Sequence, residues 1–231
     1  MVDGRNKVYM LNVIYEDNHL LVVEKPCNIA SQGDETGDKD MITLCKEYLK
    51  EKYNKPGNVY VGLVHRLVRP VGGIMVFAKT SKSASRLSES IRSKDFQKTY
   101  LAVVFDKENK LESKGYFEDY MIKNEALNKS MVCSKDKHGA KLAKLGYEVI
   151  KQKDDLKLVK INLETGRHHQ IRVQFASSGY YLYGDQKYGI GPKGEQIALW
   201  AYKLTFNHPT KDEVMEFECM PKPIGVWKDF V

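Results

Sequence analysis

Short apolar runs separated by turn residues dominate the chain, a pattern that favours β-strands over long helices. Residues 11–15 and 20–23 are β-rich runs joined by Glu-Asp-Asn-His, which predicts a hairpin whose second strand stops at Pro26. Further strands are predicted at residues 100–105, 156–163, 199–206 and 214–218, with several more within residues 114–150.

Helical spacing of apolar residues appears in three places. It predicts a helix over residues 41–53 and a second helix after Thr80 or Ser81, either of which is a favourable N-cap. The run HHQIRVQFASSG predicts a third helix that ends at Gly179, because glycine is favoured just past a helix C-terminus. Residues 31–40, SQGDETGDKD, are polar and glycine-rich and predict a loop.

Strands outnumber helices in this pattern, and most strand-to-strand links are short. An α+β protein with a largely antiparallel sheet is therefore expected, in preference to an alternating parallel fold. At 231 residues, without an internal repeat or linker, the chain is expected to form a single domain over residues 1–231.

The net charge and the cysteines indicate which kind of partner and which cellular compartment to expect. A formal net charge of +7 favours a polyanionic partner, either nucleic acid or an anionic membrane surface. The cysteines Cys27, Cys45, Cys133 and Cys219 are far apart, and no secretory signal is visible, so reduced thiols and a cytoplasmic location are expected. The longest apolar run, residues 71–78, is far shorter than the ~20 residues of a membrane span, which argues against insertion in a membrane.

The first candidate site is the stretch VHRLVRPVGGIMVFAKT. It brings His65, Arg66 and Arg69 together just before an apolar strand, with no carboxylate nearby in the sequence. An arginine beside Val68 is therefore expected to lack an ion-pair partner and to be satisfied by solvent or phosphate.

The second candidate site is TGRHHQIR, at the predicted start of a helix. Arg167, His168, Gln170 and Arg172 lie where backbone N–H groups and the helix dipole favour an anion. A solvated helix face is the alternative. Because both clusters stand at strand ends, they are predicted to share one basic cleft.

Metal binding is not expected, because adjacent histidines point to different sides of a helix and no HxxxH or CxxC spacing occurs. Aromatic residues are interleaved with the basic ones near the end of the chain. They are expected to be core residues or to stack on unpaired bases. These residues are Tyr180, Tyr181, Tyr183, Tyr188, Trp200 and Tyr202.

Five segments in order resemble the RluA-type RNA pseudouridine synthases. They are VIYEDNHLLVVEKPCNI, HRLVRPVGGIMVFAK, KTYLAVV, TGRHHQIRVQFASSGYYLYGDQKYG and ALWAYKLTFNHP. The resemblance implies a pseudouridine synthase fold, which is a mixed, mostly antiparallel central sheet in two halves with flanking helices and a basic cleft. The chain resembles the short form, without a small RNA-binding domain before the catalytic part.

The family's reaction is the isomerisation of uridine to pseudouridine within RNA, on a base taken out of its stack. The resemblance therefore implies an RNA partner, either ribosomal RNA or tRNA, and a monomer that uses no metal or cofactor. It also implies roles for single residues: Tyr100 packs on the uracil, Arg172 pairs with the catalytic aspartate, and Arg66 enters the space that the flipped base leaves. His65, Arg69, Arg167, His168 and Gln170 are the expected RNA-binding residues.

The chain departs from the family motif HRLDR-x-x-SG at two positions. Val68 stands where the family has its catalytic aspartate, and Gly72 stands where it has serine. A valine has no lone pair and no ionisable proton, so Val68 cannot act as a nucleophile or a general base. The sequence thus predicts a protein of this family that binds structured RNA and is catalytically impaired or inactive.

Three alternatives remain at this point. The first is an active isomerase that uses a displaced carboxylate, with Asp95, Asp119 and Asp185 as the acids near the motifs. The second is a natural protein with aspartate at position 68. The third is a protein-interaction scaffold that does not bind RNA.

Overall fold

The apolar run that ends the HRLVRPVGG stretch forms a strand that is buried on both faces. In the computed structural model, which describes residues 11–189 and 194–231, this strand is β4, Gly72–Ala78, and all of its residues are buried. It pairs with Leu20–Lys25 on one side and with Leu199–Asn207 on the other. A continuous apolar run without alternation therefore corresponds to an interior strand.

The described residues form a single sheet of twelve strands. The strands are β1 Asn12–Glu16, β2 Leu20–Lys25, β3 Gly62–Leu63, β4 Gly72–Ala78, β5 Gln97–Phe105, β6 Lys114–Asn124, β7 Lys129–Cys133, β8 Lys141–Lys153, β9 Leu156–Leu163, β10 Tyr181–Leu182, β11 Leu199–Asn207 and β12 Val214–Glu218. Their order across the sheet is β1-β2-β4-β11-β5-β9-β8-β6-β7. In addition, β3 pairs with β4, β10 with β5 and β12 with β11.

The sheet has two halves that meet at β11. One half contains β1, β2 and β4, and the other contains β5, β9, β8, β6 and β7. Between β4 and β11 the pairing is parallel, at Trp200 opposite Gly72 and Ala201 opposite Gly73. Every other strand pair in the described residues is antiparallel. The expected α+β class with a mixed, mostly antiparallel sheet is confirmed.

Three α-helices flank the sheet within the described residues: α1 Met41–Lys52, α2 Ser81–Ser93 and α3 Gln170–Ser177. Side-chain caps explain where α1 and α2 begin, since Asp40 accepts from the N–H of Thr43 and Thr80 accepts from that of Ser83. Helix α3 stops before Gly179, whose φ of +86° suits glycine. A short 3-10 helix, Gly225–Asp229, lies near the end of the chain.

The predicted elements agree with the structure to within a few residues, and the largest difference is at β5, which begins at Gln97 and not at residue 100. The helix predicted over 41–53 ends at Lys52, and the strands predicted at 156–163 and 214–218 have the predicted limits. Strands β3 and β10 are each only two residues long, too short to produce a periodic pattern.

Two glycines allow β4 to approach β11 closely. Gly73 has a φ of +121°, and a Cβ atom added to it would lie 2.2 Å from the carbonyl oxygen of Ala201. A Cβ atom on Gly72 would lie 2.3 Å from Cζ3 of Trp200. Both positions therefore require glycine while the neighbouring strand is in place. This close contact fixes the loop before β4 relative to the second half of the sheet.

Replacement of Gly73 by alanine is expected to lower the free energy of unfolding by roughly 3 kcal/mol or more, because the new methyl group meets backbone and the φ angle is unfavourable. Urea denaturation measures this change. Gly57→Ala is the matched control, since a Cβ atom there has no neighbour within 4 Å. Equal stability of the two variants would contradict the close-packed junction.

Candidate functional site

Lys25, the last residue of β2, is completely buried and holds the loop that precedes β4. Its ammonium group donates hydrogen bonds to the carbonyl oxygens of Pro26 (3.0 Å), Arg69 (3.0 Å) and Val71 (2.7 Å). No carboxylate pairs with it among the described residues, and burial lowers its pKa to about 7. Backbone carbonyls thus replace water around the amine and fix the chain on both sides of Pro70.

Further hydrogen bonds hold the same loop on its inner side. The hydroxyl of Ser31 donates to the carbonyl of Leu67 (2.7 Å) and accepts from its N–H group (3.0 Å). The N–H group of Asn28 donates to the carbonyl of Arg69 (2.8 Å). Val68, between these two anchored residues, is partly buried and packs against the main core.

Arg172 of α3 forms a buried, bidentate ion pair with Asp185. Its Nε donates to Oδ2 (2.8 Å) and its Nη2 donates to Oδ1 (2.5 Å), and both residues are less than a tenth exposed. Oδ1 also accepts from the N–H groups of Lys187 (2.8 Å) and Tyr188 (3.0 Å). Burial alone would raise the pKa of Asp185, but the hydrogen bond and charge of Arg172 lower it below its ordinary value.

Val68 and Arg172 line the same open cleft, which has a volume of about 500 Å³. The other charged residues that line it are Arg69, Lys129 and Lys187. No aspartate or glutamate lines this cleft in the described parts of the chain. The basic cleft expected from the two sequence clusters is therefore present, and it joins the loop before β4 to the start of α3.

A stacked pair of histidines forms part of the cleft wall. The rings of His168 and His169 lie 3.7 Å apart, centroid to centroid. Nδ1 of His168 shares a hydrogen bond with the hydroxyl of Ser130 (2.9 Å), and Nδ1 of His169 shares one with the hydroxyl of Tyr188 (2.8 Å). Burial and the charge of Arg172 lower the pKa of His169 to about 3, so the positive charge of the cleft at pH 7 comes from arginine and lysine.

Arg69 has acidic partners, contrary to the expectation that it lacks an ion pair. Its Nε and Nη2 contact the carboxylate of Asp34 (2.9 and 2.7 Å), and its Nη1 contacts that of Asp38 (2.9 Å). These acids are more than 30 positions away in the sequence and belong to the loop over residues 31–40. The expectation was wrong because it considered only carboxylates nearby in the sequence.

Two of the predicted RNA-binding residues are buried below the surface. His65 accepts a hydrogen bond at Nε2 from the N–H group of Val76 (3.1 Å), and burial lowers its pKa to about 3. The amide of Gln170 bonds Thr165 (2.7 Å) and the carbonyl of Lys144 (3.0 Å). Both side chains have internal structural contacts and do not line the cleft, so direct contact with RNA is not what this geometry supports.

The remaining predicted site residues, Arg66, Arg167 and Tyr100, lie outside the cleft lining. Arg66 and Arg167 are exposed, and Nε of Arg167 donates to the carbonyl of Leu142 (2.8 Å). Tyr100 is buried in the main core, where desolvation raises the pKa of its hydroxyl. None of these residues lines the cleft, which brings together Val68, Arg69, His168 and Arg172 among the predicted site residues.

The three candidate substitute carboxylates lie outside the cleft lining. Asp185 is buried, and both of its oxygens contact Arg172. Asp119 accepts from the amide of Gln174 (2.7 Å), and Asp95 accepts from the hydroxyl of Ser93 (2.6 Å) just beyond α2. A catalytic carboxylate must be within hydrogen-bond reach of the reacting group, and the described residues provide none on the cleft wall.

Sequence reasoning missed Lys25, Lys129 and Lys187. The two cleft lysines stand among many other lysines, and no motif distinguishes them. Lys25 had a usable signal, since a lysine at the end of the apolar run LLVVEK, immediately before proline, is unusual for a buried strand.

Two general features of the described residues concern metals and membranes. No group of three or more His, Cys, Asp or Glu side chains is placed to hold a metal ion in residues 11–189 and 194–231. Over the same residues, none of the helices is both long enough and apolar enough to cross a bilayer.

Comparison with known proteins shows what this chain is similar to. The sequence profile of the family described as RNA pseudouridylate synthase matches residues 19–177. An uncharacterized RNA pseudouridine synthase of Aquifex aeolicus is 34% identical over 223 residues, which cover 90% of this chain and 68% of that protein. Ribosomal large subunit pseudouridine synthase C of Buchnera aphidicola is 30% identical over 204 residues, which cover 82% of this chain and 60% of that protein.

A solved structure has the same fold. Human RNA pseudouridylate synthase domain containing 4 matches with a TM-score of 0.76 at 20% sequence identity, and the match covers 91% of this chain and 89% of that one. The family resemblance of the five sequence segments and the predicted fold class are thereby confirmed.

The free energy of unfolding is expected to rise as the pH increases from about 7 towards 10. The pKa of Lys25 is about 7 in the fold, against an ordinary value of 10.5, so the unfolded chain binds the additional proton in this range. Urea denaturation at several pH values measures the slope. Lys25→Met removes the titrating amine and is the comparison, and equal slopes for the two proteins would contradict the assigned burial.

Proposed function

The chain belongs to the RNA pseudouridylate synthase family, and we propose that it binds structured RNA in the basic cleft without isomerising uridine. One observation carries this proposal. Val68 lines the cleft together with Arg172, at the position where the family motif has its aspartate, and no carboxylate lines that cleft in the described residues.

The charge of the cleft supports RNA as the ligand. Arg69, Lys129, Arg172 and Lys187 line one open cavity, and phosphate groups are the natural partners of such a set. Arg66 and Arg167 are exposed and suit further contacts with the RNA backbone. Because one relative is named a ribosomal large subunit pseudouridine synthase, ribosomal RNA is the first choice of partner and tRNA the second. A cytoplasmic location and a single-domain monomer are further parts of this proposal.

The lack of a carboxylate supports the loss of chemistry. Isomerisation in this family depends on an aspartate, and the side chain of Val68 can neither attack a carbon atom nor accept a proton. Asp185 does not replace it, since Arg172 and two backbone N–H groups occupy its oxygens. Nη1 of Arg172 takes no part in the hydrogen bonds to Asp185, and we assign a uracil carbonyl or a phosphate to it as ligand.

Tritium release from RNA labelled at C5 of uridine is expected to be absent for the natural protein, because no carboxylate lines the cleft in the described residues. Val68→Asp is expected to restore measurable release, since it places a carboxylate in the cleft with Arg172. Val68→Asn, of nearly equal size but without a charge, is the control and should remain inactive. Turnover by the natural protein would contradict the proposal.

Binding to total ribosomal RNA is expected to weaken steeply with salt in a filter-binding assay. Replacing Lys129 and Lys187 by glutamine should lower the affinity about tenfold and reduce the slope of log K against log[salt] by about 1.5, since each phosphate contact contributes ~0.7–0.9. Lys46→Gln with Lys50→Gln, on α1, makes the same charge change away from the cleft lining.

If both double variants bind equally well, RNA does not occupy the cleft. If the natural protein does not bind RNA at low salt, only the alternative of a protein-interaction scaffold remains.

A further inference from the structure

The side chain of Arg69 lines the cleft but is already occupied by acids of the loop over residues 31–40. Asp34 contacts two guanidinium nitrogens, Asp38 contacts the third, and the hydroxyl of Thr36 accepts from Nη2 (2.5 Å). Negatively charged and neutral oxygens thus surround the guanidinium group much as the oxygens of a phosphate would.

The loop is fixed at its ends and held in its middle by this contact. At one end Ser31 bonds to Leu67, and at the other Asp40 caps helix α1. Every residue from 32 to 39 between these anchors is exposed. The middle of the loop can therefore move away from Arg69 while both ends stay in place.

The contact between the loop and Arg69 is open to competition. The side chains of Arg69, Asp34 and Asp38 are 29%, 38% and 64% exposed, so water and ions reach the pair. Exposed ion pairs of this kind contribute little net stability and are screened by salt. A phosphate that is held in the cleft by other cations can replace these carboxylates at little cost.

We propose that the loop over residues 31–40 is an acidic latch, whose Asp34 and Asp38 compete with an RNA phosphate for Arg69. This inference rests on the proposed function and specifies how its site is regulated. RNA entry exchanges the two carboxylates for a phosphate oxygen and frees the middle of the loop. Because a phosphate must displace both carboxylates before it contacts Arg69, only a polyanion that the other cations of the cleft already hold gains this contact.

Release of the latch takes place by exchange of anions and not by protonation. Hydrogen bonds from Thr36 and Arg69 lower the pKa of Asp34 to about 2, and those from Arg69 and Thr36 lower the pKa of Asp38 as well. Both acids therefore stay ionised throughout the range in which RNA binds.

The test is the affinity for radiolabelled ribosomal RNA, measured by filter binding at a series of salt concentrations. Asp34→Asn should bind RNA at least about threefold more tightly than the natural protein, because the RNA phosphate no longer has to displace this carboxylate from Arg69. The asparagine oxygen can still accept from the N–H group of Thr36, so the local turn is retained.

Glu35→Gln is the matched control. It makes the same charge change at the next position of the same exposed loop, and Glu35 has no hydrogen bond or ion pair within the described residues. A general charge effect would raise the affinity of both variants equally and would overturn the latch. Asp38→Asn provides a second variant with the same expected direction as Asp34→Asn.

A double-mutant cycle with Arg69→Gln separates the latch from its alternatives. In the Arg69→Gln background, Asp34→Asn should have no more effect than Glu35→Gln, because the competing partner is gone. A persistent effect of Asp34→Asn would overturn the latch while RNA binding stands. Failure of every protein to bind RNA at low salt would overturn both the proposed function and the latch.

Discussion

The buried amino group of Lys25 is the constraint on which the candidate site depends. A polar group withdrawn from water needs hydrogen-bond partners at close range, and the carbonyls of Pro26, Arg69 and Val71 provide them. If the loop before β4 moved away from β2, this amino group would lose its acceptors. These hydrogen bonds therefore hold the backbone beside Val68 in place, and the side chain of Arg69 extends from this backbone into the cleft. The rest of the cleft wall comes from the other half of the sheet, through the close contact of β4 with β11.

Ionic contacts around the cleft fall into two classes with different roles. The pair of Arg172 and Asp185 is buried and bidentate, so separation would leave an uncompensated charge in the interior, which costs ~3–5 kcal/mol. The contacts of Arg69 with Asp34 and Asp38 are exposed and exchange with ions in solution. The buried pair maintains the shape of the site, and the exposed contacts of Arg69 determine which anion binds there. In the proposed function, RNA binding depends on these cations and needs no carboxylate at position 68.

The spacing of apolar residues in the sequence predicted a helix or strand well where burial of those residues alone determined its conformation. Helix α1 and strand β9 appear as predicted because each places a regular set of apolar residues in the core. Contacts between segments that are distant in the sequence leave no pattern in either segment. The acids that pair with Arg69 and Arg172 were therefore identified only by the structure. The direction of polar side chains in the motifs could not be predicted from the sequence. His65 and Gln170 are close to Arg66 and Arg172 in the sequence, yet their side chains turn inward and satisfy backbone and side-chain groups of the interior.

The packing of Gly72 against Trp200 has a consequence for any attempt to rebuild the family motif in this chain. A side chain at position 72 would overlap the indole ring, so a serine there requires Trp200 to move. The indole N–H donates to the carbonyl of Cys219 (2.7 Å), and a displaced ring would lose this hydrogen bond as well. The motif therefore cannot be rebuilt at positions 68 and 72 alone, because position 200 is part of the same packing unit.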